Sequence, residues 1–179
     1  MDRVRIEDKE FEIYIDQEKI QQRVVELADD INRDYSGNQP LLLSLLKGSF
    51  IFTADLARHM TCPTQIEFVR YSSYSGTSST GVVTEIIGLT TPVEGRDVLI
   101  VEDIVDSGLT ILSALESLKK KSPKSIRVAS LLLKPDALKF DVPVDYIGFR
   151  IPNDFIVGYG LDYNEYGRDL PGIYRLVSE

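Results

Sequence analysis

The chain has 179 residues, enough for one domain with a substantial core, and 43% of them are hydrophobic, the share of an ordinary globule. Its net charge of −8 argues against nucleic acid as a main partner, and no apolar run approaches the ~20 residues of a membrane span. The single cysteine, Cys62, allows no internal disulfide, and the charged start MDRVRIEDKE lacks the apolar stretch of a signal peptide, so the cytoplasm is the expected compartment.

The pattern from Glu12 to Ile15 predicts a short strand, and Asp16 is placed to cap a helix whose apolar face is Ile20, Val24, Leu27 and Ile31. Tyr35 to Pro40 breaks that helix. Leu41 to Leu46 reads as a buried strand, Phe50 to His59 as a helix, and Gln65 to Tyr71 as a second strand. Residues 72–81, rich in Ser, Thr and Gly, bury little apolar surface and are expected to form a mobile loop. A strand follows from Val82 to Leu89, then a turn from Thr90 to Gly95 and an apolar strand from Val98 to Val101. Thr110 to Lys120 predicts a helix with Ile111, Leu112, Leu115 and Leu118 on one side, and Ser125 to Leu133 and Val144 to Phe149 read as further strands. Strands alternating with helices predict an α/β domain with a mainly parallel sheet covered on both faces.

The segment VLIVEDIVDSGLT, Val98 to Thr110, carries the most chemistry. It reads as a strand ending at Glu102 and Asp103, then a turn through Asp106, Ser107 and Gly108 into a helix. Helix-start amides lack intrahelical acceptors and the helix dipole favours an anion, so a phosphate fits this turn. Gly108 permits the tight turn, while Ser107 and Thr110 offer hydroxyls. Three acids beside an anion site need something that reconciles the charges: a divalent metal, or a sugar whose hydroxyls meet the acids. The glycine spacings of the nucleotide-triphosphate and dinucleotide loops are absent. An acidic helix start with Asp106 as its cap is the plain alternative.

This string resembles the phosphoribosyl-pyrophosphate signature of the type I phosphoribosyltransferases. Leu45 to Ser49, Ser72 to Tyr74, Lys134 to Asp136, and Phe155 to Tyr159 through Gly167 to Pro171 narrow the resemblance to the hypoxanthine-guanine phosphoribosyltransferases. It implies one domain over residues 1–179, with a hood from about 1–15 and 150–179 and a lid at about 72–81. It also implies magnesium, a dimer or tetramer, and transfer of 5-phosphoribosyl from phosphoribosyl pyrophosphate to a 6-oxopurine, releasing pyrophosphate.

The same resemblance assigns roles. Asp106 would be the general base, and Asp106, Ser107, Gly108, Leu109 and Thr110 would wrap the 5′-phosphate. Glu102 and Asp103 would meet the ribose hydroxyls and a first magnesium ion. Lys47, Gly48, Ser73, Tyr74 and Arg168 would contact pyrophosphate, with Ser73 and Tyr74 closing as part of the lid. Lys134, Phe155, Ile156 and Asp162 would form the purine side, Lys134 donating to the 6-oxo group and Phe155 stacking on the ring, with Asp162 also ligating a second magnesium. A non-catalytic sensor of phosphoribosyl pyrophosphate and a transferase preferring xanthine are the competing expectations. His59 and Cys62 have no neighbours that suggest chemistry.

Overall fold

Leu41–Leu46 (β3) and Asp97–Val105 (β6) have apolar side chains at most positions because both of their faces are covered. They lie side by side at the centre of a six-stranded sheet in the computed structural model, which describes residues 3–73 and 83–177. The strand order is β5-β4-β3-β6-β7-β8, with β4 at Gln65–Ser73, β5 at Val83–Ile87, β7 at Ser125–Leu133 and β8 at Tyr146–Arg150. Every pair from β4 to β8 is parallel; only the edge strand β5 runs antiparallel, against β4.

Helices α1 (Gln17–Asp34) and α2 (Phe50–His59) cover one face, packing Ile20, Val24, Leu27, Phe52 and Leu56 against Leu42, Leu99 and Ala129. Helix α3 (Leu109–Lys119) covers the other, where Ile111, Leu115 and Leu118 meet Leu41, Leu43 and Ile100. Alternate residues of β3 and β6 thus serve opposite cores, as the pleat dictates. Asp16 caps α1 by accepting from Lys19 N at 2.8 Å. At the far end of α1, Arg127 of β7 reaches across to Asp34 and Tyr146.

Both ends of the chain contribute to a second, antiparallel sheet, ordered β1-β2-β10-β9. Its strands are β1 (Arg3–Ile6), β2 (Lys9–Ile15), β9 (Ile156–Val157) and β10 (Ile173–Leu176). The sequence pattern predicts only the last part of β2 here. Strands of two to four residues are too short to establish a period of their own. Phe11, Val157 and Tyr174 form a small local core, while Ile15, Ile156 and Ile173 join the core beneath α1 and α2.

The expected end of β6 requires correction. The strand does not stop at Glu102 and Asp103 but continues to Val105, because β7 goes on pairing with it through Ile104–Leu132 and Val105–Leu133. Pairing with β3 stops earlier, at Ser44–Val101. The two acids therefore sit where β6 has lost one neighbour and kept the other. From β3 the chain crosses through α2 to β4 on one side, and from β6 it crosses through α3 to β7 on the other. Such a reversal opens a crevice at the carboxyl ends of the two strands.

Candidate active site

The crevice is a cavity of about 280 Å³ lined by residues from three separate stretches: Lys47 and Gly48 after β3, Glu102 and Asp103 in β6 with Thr110 in α3, and Asp162, Glu165 and Arg168. Arg70 and Tyr71 of β4 complete the wall. Seven of the residues expected from sequence thus share one cavity. Glu165, Arg70 and Tyr71 were not expected there, since no local pattern marks them. A wider cavity of about 520 Å³ lies against β1 and holds none of the expected residues.

Glycines hold the crevice tightly closed at its base. A Cβ on Gly48 would lie 1.6 Å from Asp103 Oδ2, and one on Gly160 would lie 2.0 Å from the Gly48 carbonyl. Only glycine at both positions lets the backbone after β3 sit between the β6 carboxylates and the loop after β9. The Leu46–Lys47 peptide is cis. Below it, Ser44 Oγ lies 2.7 Å from both Ser49 Oγ and Thr53 Oγ1, and Ser49 Oγ donates to the Leu45 carbonyl at 2.5 Å. This buried hydroxyl cluster pins the start of α2 to the end of β3, and explains the one polar residue in an otherwise apolar strand.

Glu102 and Asp103 are 7% and 9% exposed, and Glu102 Oε2 has no hydrogen-bond partner among the described residues. Burial, and then the adjacent Asp103 carboxyl, push the Glu102 carboxyl well above its usual range. A buried acceptor without a donor is costly, so the site is built for something that supplies positive charge or hydroxyl protons. Among the described residues no group of three or more His, Cys, Asp or Glu side chains could hold a metal alone. Two adjacent buried carboxylates are hard oxygen donors of the kind that suit a divalent cation whose shell is completed by water and by a ligand's own oxygens.

Beyond the acids, the chain turns at Gly108 with φ of +84°, and a Cβ there would lie 3.0 Å from the Phe140 carbonyl. The Ser107 carbonyl accepts from Lys139 N at 3.0 Å and Phe140 N at 3.2 Å, fixing the turn from behind. Leu109 N donates weakly to Ser107 Oγ at 3.3 Å, and no side chain caps α3 at Gly108. Asp106 is not the cap: it is exposed and accepts from Lys134 Nζ at 3.1 Å. Lys134, only 7% exposed, follows β7 and is anchored by its own N–H to the Val105 carbonyl at 3.0 Å. Asp106 and Lys134 thus meet at the adjacent carboxyl ends of β6 and β7.

Arg168 is held by donating to the Gly160 carbonyl at 2.8 Å, and it pairs with Asp162 at 2.8 Å and Glu165 at 3.2 Å. Its Nε is buried without a hydrogen-bond partner among the described residues. Glu165 also pairs with Lys47 at 2.8 Å, and Lys47, then Arg168, holds the Glu165 carboxyl below its usual range. Phe155 and Ile156 do not line this cavity; Ile156 opens β9 and Phe155 directly precedes it. Ile156 is buried, while Phe155 is 46% exposed with its ring edge-on to Tyr163 at 5.9 Å and tilted against Phe11 at 6.2 Å. Ser73 is the last residue of β4, and Tyr74 with most of the expected lid lies outside the described residues. His59 is exposed and Cys62 is a free thiol.

Residues 11–164 match the family model of the phosphoribosyl transferase domain. The chain is 51% identical over 166 residues to a hypoxanthine-guanine phosphoribosyltransferase of Mycobacterium tuberculosis, covering 89% of this chain and 82% of that one. It is 46% identical over 173 residues to the enzyme of the same name from Dictyostelium discoideum, covering 94% and 96%. A crystal structure of a hypoxanthine phosphoribosyltransferase from Staphylococcus aureus superposes with a TM-score of 0.89 at 40% identity, covering 93% of this chain and 91% of that one. With its switch-point crevice and its β6 acids leading into the α3 turn, the chain belongs to the hypoxanthine-guanine phosphoribosyltransferase family.

Proposed function

We propose that the protein transfers the 5-phosphoribosyl group of phosphoribosyl pyrophosphate to the ring nitrogen of hypoxanthine or guanine, giving the nucleoside 5′-monophosphate and pyrophosphate. The observation that carries this is the buried Glu102–Asp103 pair, with Glu102 Oε2 without a hydrogen-bond partner among the described residues, sharing one cavity with Thr110 of the α3 start and with Lys47 and Arg168. A ribose bearing phosphate at one end and pyrophosphate at the other has the matching groups.

Each part of the reaction then has its residues. Ser107, Thr110 and the amides from Gly108 onward bind the 5′-phosphate, with Leu109 donating through its backbone. Glu102 and Asp103 orient the ribose by its 2′ and 3′ hydroxyls. They would also hold magnesium, with Asp162 available to a second ion; bound there, the metal supplies the positive charge that lets acids and pyrophosphate share the crevice. Lys47, the Gly48 amide and Arg168 receive the leaving pyrophosphate, with Ser73 and Tyr74 closing over it. The bond from the ribose carbon to pyrophosphate breaks as the bond to the purine nitrogen forms, and Asp106 accepts the proton the purine loses.

Lys134 has three donors, so its contact with Asp106 leaves others for the 6-oxo group. A 6-amino base would set a donor against this ammonium, which is the basis of discrimination. Phe155 offers an exposed aromatic face to the ring, and the backbone of Ile156 reads the purine edge. By likeness to its relatives the chain works in purine salvage, as a homo-oligomer in the cytoplasm. No helix among the described residues is long and apolar enough to cross a membrane.

A spectrophotometric assay with phosphoribosyl pyrophosphate, magnesium chloride and each of hypoxanthine, guanine, xanthine and adenine tests the reading. Turnover of hypoxanthine or guanine but not adenine, lost on chelation, is expected. Binding of phosphoribosyl pyrophosphate without turnover of any base would favour a sensor.

A further inference from the structure

Lys47 and Arg168 approach the crevice from different elements and meet on one atom, Glu165 Oε2, at 2.8 and 3.2 Å. Glu165 sits in an unusual place. Tyr163 and Tyr166 exchange backbone hydrogen bonds of 2.9 and 3.0 Å, leaving Asn164 and Glu165 as a two-residue turn with φ of +50° and +70°. Such turns favour Asn followed by Gly, so a glutamate at the second position is strained. Three contacts hold it there: Glu165 N donates to Asp162 Oδ2 at 2.8 Å, Asn164 Nδ2 to Glu7 Oε2 at 2.6 Å, and the Tyr163 hydroxyl to Asp8 Oδ1 at 2.9 Å. Strain that the surroundings over-determine points to a side chain wanted for its function.

We propose that Glu165 is a placeholder anion: in the free protein its carboxylate occupies the two cations that receive pyrophosphate, and it is displaced on binding, which weakens retention of that product. This rests on the pyrophosphate role of Lys47 and Arg168 given above. Two observations favour competition over simple bracing. Arg168 has contacts with the Gly160 carbonyl and Asp162 that do not involve the Glu165 side chain, and Lys47 directly follows the end of β3. Glu165 is itself 61% exposed, so its carboxylate can swing into water at little cost.

The two roles have opposite signs. Removing a competitor tightens anion binding, whereas removing a brace loosens it. The test is calorimetric titration of inorganic pyrophosphate, with and without magnesium chloride, into the wild type, Glu165→Gln and Glu165→Gly. The glycine variant also relieves the left-handed strain, so it should fold at least as well as the wild type. We expect both variants to bind pyrophosphate about two- to tenfold more tightly, the range open to two exposed ion pairs. KM for phosphoribosyl pyrophosphate should fall in parallel, kcat should not rise, and the gain should shrink with added salt. Equal or weaker binding in both variants would overturn the proposal. A wild type that binds no pyrophosphate in either condition would instead overturn the assignment of the cavity on which it stands.

Discussion

The two ends of the central sheet treat polar groups in opposite ways. At the amino ends of the strands, polar side chains find partners within the protein. Asp97 accepts from Lys124 Nζ at 2.8 Å and Ser125 Oγ at 2.6 Å, and Asp145 accepts from Val128 N at 2.8 Å. The Arg127 guanidinium lies 5.6 and 5.9 Å from the Tyr35 and Tyr146 ring centroids and pairs with Asp34. Tyr35 is the exception, its buried hydroxyl without a hydrogen-bond partner among the described residues. At the carboxyl ends, Glu102 Oε2 and Arg168 Nε are buried without hydrogen-bond partners among the described residues. One end satisfies its polar groups internally; the other leaves buried groups unsatisfied, and in our proposal a ligand supplies their complement. Changes at the two ends should therefore separate stability from activity.

The largest expected effect is at the open end. Asp106→Asn should lower kcat by about 10²–10⁴, the usual worth of a general base, with little change in KM for phosphoribosyl pyrophosphate. Asparagine keeps an acceptor for Lys134, so steady-state kinetics should register far more than thermal unfolding does. Turnover equal to the wild type would remove Asp106 from the proton transfer.

Gly160 is where the contrast should break. It lies beside the crevice, yet a Cβ would press on the Gly48 carbonyl from a backbone with φ of +102°. Gly160→Ala should cost about 2–4 kcal/mol from overpacking and strain, read by urea unfolding, as well as reducing turnover. Intact stability would mean that the loop after β9 is not bolted to the end of β3.

Arg127→Ala sharpens the comparison from the other side. Losing the Tyr146 hydrogen bond, the Asp34 pair and two cation–π contacts should cost about 1–3 kcal/mol, with turnover close to that of the wild type. A matching loss of kcat would show that the two ends are coupled.

The smallest effect expected is that of Asp97→Asn, about 1 kcal/mol at neutral pH. Lys124 first, then Ser125, hold the Asp97 carboxyl below its usual range. Its stabilisation is therefore present above the unfolded value, about 3.9, and is lost as pH falls through the lower folded one. Wild type and variant should converge in acid unfolding measurements below about pH 4 and differ above it.

Much of the central sheet was legible because buried parallel strands announce themselves as apolar runs, and α2 lies at the expected Phe50 to His59. The acids of β6 and the turn through Ser107 and Gly108 were legible for a different reason, since that order of residue types has few other uses. The end of β6 was not. Ile104 and Val105 are apolar whether they belong to a strand or to a turn, and only continued pairing with β7 decides between the two. The contacts of Glu165 were equally hidden, because its partner Lys47 is 118 residues away.

The sequence by itself therefore determined the layers, the central strands and the types of group at the site, because each follows from local periodicity or from a short contiguous string. Tertiary structure alone decided that β3 and β6 part company at the acids and that Gly160 seats on Gly48. It also decided that Asp106 pairs with Lys134 rather than capping α3, and that one glutamate bridges two cations. These are contacts between distant segments, and side-chain periodicity carries no information about which distant backbone will lie opposite.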